Sequence, residues 1–180
     1  ASFIDNFDFS KLNFAWNFRR VPIKKMYSLN AKKGNLRLYT NPNIIKERGR
    51  TSLMGVRQTE SDFEYSAKMN FQPKTIHSEA GISMFQKDNN YFTLTIVNEG
   101  NGYSLQLKLA EPNAEPRILK KQVISNYNEE ITFSGEGDIS GLSAGYYYVV
   151  ITDANGCQFT SDVIAFANIL AKDDKILLTE

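Results

Sequence analysis

Along residues 61–71 (SDFEYSAKMNF) apolar and polar side chains alternate without a break. Phe63, Tyr65, Ala67, Met69 and Phe71 fall on one face; Asp62, Glu64, Ser66, Lys68 and Asn70 fall on the other. Successive side chains of a strand point to opposite sides, so this pattern predicts a strand with one face on a core and one on water. The same grammar recurs. Leu36 and Leu38 share a face in 35–39 (NLRLY). Segments 81–85 (GISMF) and 91–97 (YFTLTIV) are joined by QKDNN, a hairpin-type polar link. In 103–109 (YSLQLKL) Tyr103, Leu105, Leu107 and Leu109 alternate with polar residues, after the turn signal NEGNG at 98–102. Further strands are predicted at 118–124, 131–133 and 146–152. The last leads through DANG at 153–156, whose Asn-Gly pair suits a tight turn, into a return strand at 157–159. One short helix is a candidate, over 163–171.

Many short strands with turn signals between them predict an all-β protein, a β-sandwich or barrel, built as a single domain over 1–180. A chain of 180 residues can bury a real core without disulfides or metals. With one cysteine, Cys157, no internal disulfide can form. The net charge of +1 gives no electrostatic case for nucleic acid. No apolar stretch approaches the roughly 20 residues of a membrane-spanning helix. Neither nucleic acid nor a membrane is therefore expected as a partner.

Candidate chemistry is sparse. Acid–base chemistry by paired carboxylates needs two of them placed across a substrate, and none of the 20 acidic residues stands in a pattern that singles it out. Asp5 and Asp8 fit an Asx turn better than catalysis. Glu129, Glu130, Glu136 and Asp138 read as solvated links, and the glycine pairs at 100–102 and 135–137 as turns. His77, the one histidine, reads as a surface residue. No catalytic or metal-ligating set is assigned and no cofactor is expected, although a carbonyl-and-carboxylate calcium site leaves little trace in a sequence. Trp16 with Phe18, Arg19 and Arg20 has two readings. It is a sugar platform that combines stacking with charged hydrogen bonds, or it packs on the fold while the arginines tie down loops. Segment 40–50 (TNPNIIKERGR) reads as an exposed link. It carries Ile44, Ile45, Arg48 and Arg50, and an apolar pair in a polar loop suggests a contact with another domain.

Three stretches carry a family resemblance: 5–22 (DNFDFSKLNFAWNFRRVP), 27–59 (from YSLNAKKGNLRLY to GVRQT) and 62–96 (from DFEYSAKMNF to YFTLTI). Within them the aspartates of 5–8, the Trp-to-Arg span 16–20, the strand pattern 28–39, Arg57-Gln58, the Ala-Gly-Ile of 80–82 and Asn90-Tyr91 stand in order. Together they resemble the C-terminal domain of family 43 glycoside hydrolases, the β-xylosidases and α-L-arabinofuranosidases. The resemblance implies an antiparallel two-sheet β-sandwich of the concanavalin A-like, jelly-roll kind. It further implies a non-catalytic accessory role beside a catalytic β-propeller, on xylan or arabinan side chains, in a secreted, periplasmic or cell-surface bacterial protein. Segment 139–157 (ISGLSAGYYYVVITDANGC) departs from the family's ending and resembles repeats of secreted bacterial adhesins. A free-standing carbohydrate-binding or adhesin-type module is the alternative.

Overall fold

A computed structural model describes residues 3–21, 25–47, 49–59, 62–128 and 130–138, with strand backbone at 146–147, 150–152, 158–160, 164–165, 169–172 and 175–178. Among these residues there is no helix. The chain divides into two compact units, Ala1–Glu60 and Ser61–Glu180.

The first unit holds four short strands: β1 (Trp16–Phe18), β2 (Tyr27–Ser28), β3 (Arg37–Leu38) and β4 (Met54–Val56). β1 pairs antiparallel with β4, and β2 with β3. The run read as a strand over 35–39 is thus shorter than predicted, with Leu38 exposed.

The second unit begins with β5 (Asp62–Asn70), β6 (Glu79–Lys87), β7 (Asn90–Asn98), β8 (Tyr103–Ala110), β9 (Arg117–Ile124) and β10 (Glu130–Asp138). It continues with β11 (Tyr146–Tyr147), β12 (Val150–Thr152), β13 (Gln158–Thr160), β14 (Ile164–Ala165), β15 (Ile169–Lys172) and β16 (Lys175–Leu178). Two four-stranded antiparallel sheets result, in the orders β13-β12-β10-β5 and β6-β7-β8-β9. Alternation along β5 is realised: Phe63, Tyr65, Ala67 and Met69 are half-buried, while Ser66, Lys68 and Asn70 are exposed. Leu94 and Ile96 of β7, Leu105 and Leu107 of β8, and Ile131 and Phe133 of β10 form one buried cluster. Met69, Phe71, Ile82 and Leu119 pack against it. The cluster draws on both sheets, so the two layers bury their apolar faces against each other, as in a sandwich. Fully burying each of these large side chains stabilises the fold by about 1.5–3 kcal/mol.

Three expectations need correction. The stretch proposed as a short helix, 163–171, contributes strand: β14 pairs with β11, and β15 with β16. Branched residues such as Ile164 and Ile169 favour the pleated surface. Residues 135–137, read as a turn, and Glu130, Glu136 and Asp138, read as links, lie inside β10. Their register on β5 sets Gly135 opposite Tyr65 and Gly137 opposite Phe63. Pairing with β5 along its whole length keeps these glycines in strand despite the weakness of glycine there. The hairpin link after Phe85 is also tighter than QKDNN, since Lys87 already pairs with Asn90. The predicted return strand after 153–157 is β13, pairing Thr152 with Gln158. The turn residues and Cys157 themselves lie outside the described residues, as does Glu129.

β9 is an edge: among the described residues β8 is its one neighbour in the sheet. A register shift between Leu107 and Lys108 leaves Leu119 as an extra residue, the signature of a β-bulge.

Candidate functional site

In the first unit, the Asp5 carboxylate organises the entry to β1. Its Oδ1 accepts the Phe7 N–H at 2.8 Å, the Asx turn expected from sequence. Its Oδ2 accepts the indole Nε1–H of Trp16, also at 2.8 Å. The Trp16 ring lies beside Phe7 (centroids 5.7 Å apart) and meets Phe3 edge-on (5.8 Å). Phe7 has φ of 57°, a left-handed conformation that a bulky residue adopts only where its surroundings impose it. Here the Asx turn and the Trp16 contact impose it.

Arg19 bridges to the loop that precedes β4. Its Nη1 donates to the Gly49 carbonyl at 3.0 Å and to Thr51 Oγ1 at 3.1 Å; its Nη2 donates to the Glu47 carbonyl at 3.0 Å. Arg50 Nε donates to the Val21 carbonyl at 3.2 Å. One planar fork can serve several carbonyls in a fixed geometry, which an ammonium cannot. The structure thus joins the Trp16 and Arg19 strand to the 47–51 segment. Arg20 is exposed beside it. Ile44 and Ile45 sit apart on the same loop, Ile44 exposed and Ile45 half-buried. Arg48 lies outside the described residues.

Sequence reasoning passed over the strongest apolar feature of this unit. Ile4 is 79% exposed, Phe9 80%, and Phe14 is bare to solvent. A recess of about 290 Å³ opens among Phe7, Phe9, Leu12, Phe14 and Leu29, with Asp5 and Lys11 at its margin. A second, of about 240 Å³, adjoins it across Phe9, bordered by Asp8, Asn30 and Lys33. These residues follow neither helical nor strand periodicity, so no pattern flagged them. The available signal was density: Phe3, Phe7, Phe9 and Phe14 crowd a stretch that lacks alternation.

The outward face of the β6–β9 sheet carries a polar arrangement that the alternation rule also missed. Ser104 and Gln106, predicted to face water, are 0% and 4% exposed. Glu99, in the β7–β8 turn, covers them. Its Oε1 accepts from Ser104 Oγ at 2.7 Å and Gln106 Nε2 at 2.5 Å, and pairs with Lys121 Nζ of β9 at 3.0 Å. The Ser104 hydroxyl and the Lys121 ammonium hold the Glu99 carboxyl below its ordinary value of 4.5. That direction is the reverse of what a general acid needs. Glu79 of β6 makes a parallel tie, accepting from Thr95 Oγ1 at 3.0 Å and from the Lys108 ammonium. Among the described residues no group of three or more His, Cys, Asp or Glu side chains could hold a metal ion. Among the described residues no helix is long and apolar enough to cross a membrane.

Residues 4–165 match the model of the beta-xylosidase C-terminal concanavalin A-like domain. The match runs on beyond the three resembling stretches and through the 139–157 segment. The chain is 31% identical over 132 residues to the non-reducing end α-L-arabinofuranosidase BoGH43B of Bacteroides ovatus, covering 73% of this chain and 23% of that protein. It is 34% identical over 83 residues to a xylosidase/arabinosidase of Butyrivibrio fibrisolvens, covering 46% of this chain and 16% of that one. The chain therefore spans about a quarter or less of the curated relatives it matches. Among solved structures, the family 43 protein BlXynB of Bacillus licheniformis (K247S mutant) superposes with a TM-score of 0.77 at 18% identity. That superposition covers 89% of this chain and 30% of the other. At that identity the superposition speaks to the fold.

Proposed function

The chain belongs to the β-xylosidase C-terminal concanavalin A-like family, and from that premise we propose that it serves as the accessory domain of a family 43 glycoside hydrolase. In this reading it packs on and supports a catalytic β-propeller, which supplies the acids that cleave the glycosidic bond. The observation that carries it is the family match over 4–165 in a chain that spans only 23% of its arabinofuranosidase relative. Relatives are named for arabinofuranosidase and xylosidase activity, so a xylan or arabinoxylan type of polysaccharide is the substrate class of the whole enzyme. Such a polymer is too large to enter a cell, which favours a secreted, periplasmic or cell-surface location. Trp16 is flanked by Phe3 and Phe7 and hydrogen-bonded to Asp5, which supports the packing role over stacking on a sugar.

The test is pentose release from nitrophenyl β-xyloside and nitrophenyl α-L-arabinofuranoside. The chain alone is expected to release none. Turnover by the chain alone, abolished by substituting one of its own carboxylates, would overturn the accessory reading.

A further inference from the structure

We infer that the N-terminal unit, through Phe9 and Phe14, presents the surface on which the catalytic portion of the enzyme docks. This rests on the accessory reading above and locates its contact. The unit is poorly provided with a core of its own: among its described residues only Met26 and Leu29 are buried apolar side chains. Ile4, Phe9, Phe14 and Val21 lie exposed instead. Of these, Phe9 and Phe14 line one recess, and large apolar groups gathered in this way mark a place where another surface belongs, because burying them stabilises an assembly and leaving them wet does not. The geometry is that of a seat. Phe7, Phe9 and Leu29 line both recesses, and the larger one, walled also by Leu12 and Phe14, admits one apolar side chain. The strained Phe7 and the Asp5 and Trp16 hydrogen bond hold its floor in place before any partner arrives. Preorganised aromatic anchors of this kind carry most of the energy of an interface.

The occupant is fixed by what the relatives contain. This chain covers 23% of one curated relative and 30% of a solved homologous structure. The remaining length of such an enzyme is the protein surface available to cover this recess. The 40–50 loop is a weaker seat, since hydrogen bonds from Arg19 and Arg50 pin it to its own unit and Ile45 is half-buried.

The test measures binding of the full chain to the portion of the Bacteroides ovatus α-L-arabinofuranosidase that it does not match. Three forms are compared: the natural chain, Phe9→Ser with Phe14→Ser, and Ile118→Ser on the outer sheet as a control. All three should unfold at the same temperature, because the substituted side chains are exposed. The double variant should bind at least about 30-fold more weakly, the scale of losing one interface anchor, while the control binds as the natural chain does. Equal binding by all three, or equal loss in the control, overturns the assignment of the surface and leaves the accessory role standing. No binding by the natural chain overturns the accessory role itself. Sedimentation showing a dimer that the double variant abolishes would make the occupant a second copy. Xylohexaose binding lost only in the double variant would make it a sugar. Either result overturns the proposal.

Discussion

Gly81 of β6 sits so close to the neighbouring strand that any side chain would collide with it. A Cβ there would lie 1.9 Å from the Leu94 carbonyl oxygen and 2.8 Å from Thr95 Cα, and backbone cannot swing aside as a side-chain tip can. This gives a physical reason for the glycine in the Ala-Gly-Ile stretch of 80–82. Gly81→Ala is expected to cost about 3 kcal/mol, the upper range for overpacking, read as a lowered urea midpoint. Gly55→Ala is the matched control, because a Cβ at Gly55 meets nothing within 4 Å; it should be neutral or slightly stabilising. Glu99 makes a second prediction at this scale. Its folded carboxyl titrates below the ordinary value of 4.5, by the Ser104 hydrogen bond first and Lys121 next. A depressed carboxyl contributes stability that is present above the unfolded value and lost as pH falls through the folded one. Denaturation midpoints of the natural chain should therefore drop relative to Glu99→Gln as pH falls below 4.5. Parallel pH profiles of the two proteins would refute this.

At the scale of elements, the Arg19 tie makes the loop before β4 an extension of β1. Arg19→Lys cannot reach Glu47, Gly49 and Thr51 together. The expected outcome is several-fold faster tryptic cleavage within 44–50, with the global unfolding midpoint nearly unchanged. Strand alternation made β5, β7 and the buried leucines of β8 legible, because in each the period of two coincides with a real core face. It misled at Ser104 and Gln106. Polar residues in alternation were read as wet, yet a carboxylate from the adjoining turn covers them and satisfies their hydrogen bonds. The turn preference of glycine misled at Gly135 and Gly137, where pairing with β5 outweighs it. Of the site, the Asp5 turn and the loop-tying role of the arginines were within reach of the sequence. Phe9 and Phe14 were not, because an exposed aromatic in an irregular segment leaves no periodic trace in its own chain.

Taken as a whole molecule, the protein concentrates its buried apolar side chains in the sandwich of the second unit, while the first unit relies on a few rings and on polar ties. One feature of the sandwich bears on how the molecule behaves at high concentration. β9 lies at the rim with Ile118 and Val123 exposed, an open template for cross-β growth between copies. Its bulge bends the ribbon, and Lys120 and Lys121, the latter paired with Glu99, set charged groups at a rim that a second copy would have to desolvate. Acetylating those amines should therefore let the protein assemble into thioflavin-binding fibres under conditions where the untreated form stays dispersed, and Val123→Lys should restore dispersal by adding charge back to the same rim.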